Sequence, residues 1–180
     1  MRLSVLIPTM PSRKVLFDEL IASLQRQPFS NEVEILVDDS DMHTGTKRNN
    51  LLQKSSGDYT VFIDDDDKVS DDYIPLVLAA IEENPDCVGI QGLMSINGKQ
   101  WHRWFISYRN ASWFENNGIY YRSTNHISPV KASISKQVQF PDITIGEDHA
   151  WSMKLLPLLK SETVIEKDIY YYRYNDKVKV

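Results

Sequence analysis

Four aspartates stand in a row, Asp64 to Asp67, directly after the apolar run Tyr59-Thr-Val-Phe-Ile63. Unpaired carboxylates are too costly to bury, so a core role is disfavoured, and crowded carboxylates are relieved by a hard divalent cation bound through oxygen. The bland alternative is a solvated acidic loop that begins a helix. The position after a buried strand favours a ligand site instead, because open α/β sheets bind ligands outside the carboxyl ends of their strands. An EF-hand is excluded, since the loop has no Gly at its sixth position and no Glu at its twelfth. Three more groups have suitable chemistry. Asp38-Asp39 closes a second apolar run, Lys47-Arg48 lies on a helical stretch where such a pair alone is a solvated face, and Glu147-Asp148 opens a helix after Gly146. Acids in a first helical turn complement the helix dipole.

Composition agrees with one concentrated site. The chain has 180 residues, 42% apolar and 25% charged, which suits one globular domain with a sizeable core and excludes disorder. The net charge is −5, but Asp58 to Asp72 holds seven Asp against Lys68 alone, so the rest of the chain is near neutral. That balance argues against a sequence-independent nucleic-acid binder, which would need a basic face. The single Cys87 excludes a disulfide framework and reads as a buried small hydrophobe. The apolar run Leu3–Ile7 stops at Pro8, too short for a signal segment, and no stretch approaches a membrane span. The expectation is a cytoplasmic protein.

These groups need a scaffold, and the pattern supplies one. Strands are predicted at Leu3–Pro8, Glu34–Asp38, Tyr59–Ile63 and Cys87–Gln91, with helices between them: one capped by Ser12 and ending at Gln27-Pro28, one over Thr46–Ser55, and one from Asp71 to Glu83 capped by Ser70. Such alternation implies an α/β fold with a mainly parallel central sheet flanked by helices on both faces. The second half is mixed. Asn97-Gly98 marks a hairpin, Trp101–Tyr121 is aromatic and irregular, His126–Ser133 reads as a strand, Glu147–Leu159 as a helix and Thr163–Tyr174 as a strand. No linker or repeat divides the chain, so residues 1–180 are read as one domain: 1–93 the half that holds the acidic run, 94–180 the half that holds Glu147-Asp148.

Ile7-Pro8-Thr9, Val37-Asp38-Asp39-Ser40, Lys47-Arg48-Asn49, Phe62-Ile63-Asp64-Asp65-Asp66-Asp67, Gly146-Glu147-Asp148 and Tyr171-Tyr172-Arg173-Tyr174 occur in the order and approximate spacing of family 2 glycosyltransferases. The chain resembles that family over nearly its whole length. The resemblance implies the GT-A (Rossmann-like) fold with a mixed or antiparallel C-terminal part, and inverting transfer of a sugar from a nucleotide-sugar donor, UDP- or dTDP-linked, to a hydroxyl of a carbohydrate or other acceptor. It implies that Pro8, Thr9, Asp38 or Asp39, Lys47, Arg48, Asp64 and Asp65 bind the donor: Thr9 and Asp38 or Asp39 at the base, Asp64 at the ribose. Asp66 of the DXD-type run would hold Mn2+ or Mg2+, and either of Asp65 and Asp67 could substitute. Asp148 would be the general base, with Glu147 orienting the acceptor or supporting Asp148. Residues 1–93 are then the donor half and 94–180 the acceptor and base half.

Three features depart from the family pattern. Thr9-Met10-Pro11-Ser12-Arg13 replaces the more usual Thr-Tyr-Asn-Arg, and Asn175 and Asp176 stand where a His often follows the final Tyr-Arg. His126 and His149 are then candidate replacement ligands. The sequence also ends soon after the last predicted strand, so the membrane or acceptor modules that many relatives append are not expected. In the aromatic stretch, Trp101, Trp104 and Trp113, together with His149, are the candidate acceptor contacts, since sugars stack on aromatic rings. A haloacid-dehalogenase-type phosphatase is the rival enzyme. Asp64 to Val69 matches the first and third positions of its motif but lacks the Gly and Thr, and follows the third strand rather than the first. A nucleotide-sugar-binding module without turnover is the non-enzymatic rival.

Overall fold

The computed structural model describes residues 1–174; Asn175 and Asp176 lie outside them. Strand β1 (Leu3–Pro8) runs between β2 (Val33–Asp38) and β3 (Tyr59–Phe62), parallel to both. Helices α1 (Lys14–Gln25) and α2 (Thr44–Lys54) join these strands. After the acidic run come β4 (Lys68–Val69), α3 (Tyr73–Ile81) and β5 (Cys87–Ile96). Then follow β6 (Gln100–Ile106), β7 (Phe114–Asn116), β8 (Ile119–Arg122), β9 (Val130–Lys131), α4 (Ala132–Ser135), α5 (Glu147–Leu155) and β10 (Glu162–Tyr174). The strand order is β2-β1-β3-β9-β5-β6-β8-β7, and β10 pairs in parallel with β5 and antiparallel with β4.

The apolar runs are continuous because both faces of the sheet are covered. Leu3, Val5, Ile7, Val61 and Ile63 point one way, into a cluster with Leu20 and Leu24 of α1 and Val77 and Ile81 of α3. Leu6 and Phe62 point the other way, onto Leu51 and Leu52 of α2 and Trp151 and Leu155 of α5. Cys87 is buried, as its residue type implied. No helix among the described residues is long and apolar enough to cross a membrane.

The parallel core and the mixed C-terminal part match the expectation, with corrections in detail. The stretch Trp101–Tyr121 is mostly ordered strand. Its missed signal was a second Asn-Gly pair: Asn117 and Gly118 both take positive φ (51° and 74°), as a two-residue hairpin turn demands, and join β7 to β8. Asn97 and Gly98 do the same between β5 and β6. Of the strand expected over His126–Ser133, only Val130–Lys131 pairs. Asn125 folds its side chain onto the Ile127 N–H and its carbonyl onto the Ser128 N–H, and Pro129 has no N–H for a ladder. Neither expected serine cap forms. Pro11–Arg13 makes a 3-10 turn ahead of α1. At α3 the cap is supplied from afar, with buried Gln27 accepting the Ile74 N–H through Oε1 and donating to the Ser70 carbonyl.

Candidate active site

The backbone carries the acidic run out of β3 between two neighbours. The Phe62 N–H bonds the His126 carbonyl, the Ile63 N–H bonds the Leu6 carbonyl, and the Asp67 N–H closes a turn on the Asp64 carbonyl. The four side chains then part company. Asp65 and Asp67 are almost fully buried (2% and 1% exposed), against the expectation that the run stays out of the core. They are tolerated there because they are paired. Asp65 accepts Thr9 Oγ1 at 2.7 Å and Arg13 Nη1 at 2.8 Å. Asp67 accepts the Tyr170 hydroxyl at 2.7 Å and the Arg173 N–H at 2.9 Å. Burial, reinforced by the charges of Asp64 and Asp66, still pushes the Asp67 carboxyl well above the usual range.

Asp64 and Asp66 keep partial exposure. Asp64 takes Arg48 Nη2 at 2.9 Å and His126 Nε2 at 3.2 Å. Burial alone would raise its pKa, but Arg48 and then His126 outweigh it and hold the carboxyl far below the ordinary value. Among the described residues Asp66 has Arg13 as its one cationic partner, at 3.1 Å. Burial and its acidic neighbours push its carboxyl up against that pull. Of the two partly exposed carboxylates of the run, Asp66 is therefore the one whose charge is less compensated.

Glu147 and Asp148 open α5 opposite this loop. Glu147 is buried, 3.4 Å from Arg48 Nε, and burial pushes its carboxyl up despite the opposing Arg48 charge. Arg48 thus joins Asp64 to Glu147, and its guanidinium lies over the rings of Phe62 and Phe140 at 5.1 and 5.7 Å. Asp148 keeps partial exposure and faces His126 Nδ1 at 3.8 Å. Both ring nitrogens of His126 therefore face carboxylates. A cleft of about 570 Å3 opens here, lined by Asp64, Asp67, Glu147 and Asp148 together with Trp104 and Trp113.

The other expected donor residues are outside the lining of this cleft, as is Asp66, and gather at the ends of β1 and β2 and on α2. Pro8 ends β1, and Thr9 follows it, its N–H on the Asp38 carbonyl and its own carbonyl accepting Lys47 Nζ at 2.8 Å. Asp38 is buried, and although burial would raise its pKa, hydrogen bonds from Ser40 and Asn50 hold it below the ordinary carboxylate value. Its neighbour Asp39 is exposed. The acceptor candidates separate: Trp104 and Trp113 line the cleft, whereas Trp101 is exposed on β6 outside that lining, and His149 packs edge-on against Trp113 at 4.8 Å. Sequence reasoning missed Arg13, Tyr120, Arg122, Tyr172 and Tyr174, which complete the acidic loop's pairing or the cleft wall. The alternating β-strand pattern around Asn117-Gly118 was the signal available for Tyr120 and Arg122.

A metal finds hard oxygen donors here but no ready-made cage. Among the described residues no group of three or more His, Cys, Asp or Glu side chains is placed to hold an ion alone. Asp66, partly exposed and under-compensated, fits a cation such as Mg2+ or Mn2+ held by one or two carboxylates plus water or phosphate oxygens.

The sequence model of the family described as "Glycosyl transferase family 2" matches residues 43–154. No curated protein matches the chain. Among solved structures, S. aureus TarS 1-349 in complex with UDP-GlcNAc is similar, with TM-score 0.73 and 20% identity, covering 96% of this chain and 58% of that one. The same fragment in complex with UDP gives 0.72 and 20%, covering 96% and 60%. The longer TarS structure gives 0.67 and 19%, covering 96% and 37%. The chain spans at most about three fifths of these TarS chains, and at such identities the likeness is one of fold.

Proposed function

Because the chain belongs to glycosyl transferase family 2, we propose that it transfers a sugar, with inversion, from a UDP-linked donor to a hydroxyl of a carbohydrate or similar acceptor, with Asp148 as general base. The observation that carries this reading is the convergence of Asp64 from the first half and Glu147-Asp148 from the second on one cleft with aromatic walls. The UDP and UDP-GlcNAc complexes of TarS support a uridine donor for a chain of the same fold. A dTDP donor is the alternative in the same base pocket.

In this reading residues 1–180 work as one unit. The donor half (1–93) and the acceptor and base half (94–180) share β5, which crosses between them. Thr9 and Asp38 or Asp39 hold the base, with Pro8 and Lys47 fixing the Thr9 segment. Asp64 faces the ribose, while Asp65 anchors the loop through Thr9 and Arg13. Asp66 holds Mn2+ or Mg2+, which when bound offsets charge on the leaving diphosphate. Asp148 takes the proton of the attacking hydroxyl, a role that requires a carboxylate with free lone pairs at the cleft. Glu147, fixed by Arg48, sets the start of α5. Trp113, half-buried at the cleft, faces the sugars, while Trp104, 5% exposed, belongs to the core that backs the cleft.

Release of UDP from UDP-GlcNAc with Mn2+, assayed with and without a panel of glycan acceptors, tests the reading. Asp148→Asn is expected to abolish turnover while donor affinity stays within a few-fold, and Asp66→Ala to weaken Mn2+-dependent donor binding. Full activity of Asp148→Asn would sink the mechanism. Donor binding without any turnover by the unaltered protein points instead to a binding module.

A further inference from the structure

We infer that His126 is a positioning residue: its imidazole bridges the donor-side carboxylate Asp64 and the base Asp148, and sets the orientation of that base. The inference rests on the glycosyltransferase reading above. Nε2 of the ring lies 3.2 Å from Asp64 Oδ2 and Nδ1 lies 3.8 Å from Asp148 Oδ2. The side chain is 91% buried by its 9% relative exposure, and Nδ1 has no hydrogen-bond partner among the described residues. A buried ring nitrogen without a partner is costly unless the site uses it.

The backbone that carries the ring is fixed on both sides. The His126 carbonyl accepts the Phe62 N–H at 3.0 Å, tying it to the end of β3, and the next residue's N–H bonds the Asn125 side chain at 3.2 Å. Asp148, by contrast, has His126 as its one ion-pair or hydrogen-bond contact among the described residues. Its neighbour Glu147 is already held by Arg48, and Arg48 also holds Asp64. Two bridges of different chemistry therefore run from Asp64 to the paired acids: Arg48 to Glu147, and His126 to Asp148.

The separation matters to the chemistry. At 3.8 Å the Asp148 contact is longer than a hydrogen bond, so an N–H at Nδ1 steers the carboxylate electrostatically and leaves its lone pairs open to the acceptor hydroxyl. A hydrogen-bonded Arg, such as Arg48 on Asp64, would occupy them. A base oriented by a third group is a recurring arrangement in nucleophile activation.

Two variants separate the two ring contacts, because a Gln amide nitrogen reaches about where Nε2 stands and an Asn amide nitrogen about where Nδ1 stands. His126→Gln is expected to bind UDP within about twofold of the parent protein but to lose at least tenfold in kcat for UDP release from UDP-GlcNAc with Mn2+. His126→Asn is expected to keep more kcat than His126→Gln and to bind UDP more weakly. Parallel losses of kcat and donor affinity in both variants, a fall in Tm that accounts for the lost activity, or a kcat within twofold of the parent in His126→Gln would each overturn the role. Asp148→Asn, measured alongside, keeps the two readings apart. If it is inactive and the parent is active, the glycosyltransferase reading stands whatever the His126 variants do; a parent protein that neither binds UDP nor releases it overturns both.

Discussion

Asp67 shows how a single residue can be placed against its own electrostatics. It is buried beside two other carboxylates, and its partners are neutral: the Tyr170 hydroxyl and the Arg173 N–H. Burial first, then the charges of Asp64 and Asp66, raise its pKa well above the unfolded value. The sign of the consequence is fixed by linkage. Below the unfolded carboxylate value, about 3.9, both states hold the proton. As pH rises from there through the folded value, the unfolded chain ionises first and stability falls. Asp67→Asn keeps an acceptor for Arg173 and a polar partner for Tyr170 while removing the charge. Its expected effect in EDTA is a Tm about 2–4 °C higher at pH 7, the shift that roughly 1 kcal/mol produces in a domain of this size, shrinking as the pH approaches about 4. Thermal melts across that range measure it, and a lower Tm at pH 7 contradicts the burial argument. Asp64 is the opposite case, with the same residue type one turn away held low by Arg48 and His126. Neither identity nor position in the run distinguishes the two in the sequence; only the partners do.

At the scale of elements, the site depends on β10 lying tightly on β5. Gly92 makes this possible. A Cβ there would stand 1.9 Å from the Tyr170 carbonyl oxygen and 2.7 Å from the Trp104 ring. The same Tyr170 sends its hydroxyl to Asp67 and receives the Asp64 N–H at 3.2 Å, so the strand contact and the acidic loop are one assembly. Gly92→Ala is expected to destabilise the protein by about 1–3 kcal/mol, as overpacking in a filled core does, and to weaken donor binding even at temperatures where the fold survives. Urea unfolding together with UDP titration checks it; unchanged stability would show that β10 can shift at no cost. The sequence marked Thr163–Tyr174 as a strand from its β-branched and aromatic residues, but its pairing with β5, and the register shifts between Val164 and Tyr170, follow from contacts across the sheet. The turn at Asn117-Gly118 was legible in principle, because its chemistry is local.

For the molecule as a whole, the described residues hold no all-protein metal cage, so the proposed Mn2+ or Mg2+ would need oxygens from the donor. If Asp66 supplies one carboxylate and the diphosphate supplies further oxygens, Mn2+ alone binds weakly and UDP raises its affinity at least tenfold. Reciprocity requires Mn2+ to raise UDP affinity by the same factor. Calorimetric titrations in both orders test this, and equal Mn2+ affinity with and without UDP counts against it. The amino-acid order alone determined the parallel core, the acidic run at the end of β3, and the paired acids at the start of α5. Those features follow from apolar periodicity and from turn and helix-dipole preferences, which act over a few residues. Tertiary structure decided which carboxylates are buried, that Asp65 belongs to Thr9 and Arg13, that Trp104 and Trp113 rather than Trp101 line the cleft, and that His126 stands between Asp64 and Asp148. Each of those outcomes joins side chains from elements far apart in the chain. Their distances are set by sheet order, close backbone approach and packing, and no short-range pattern encodes them.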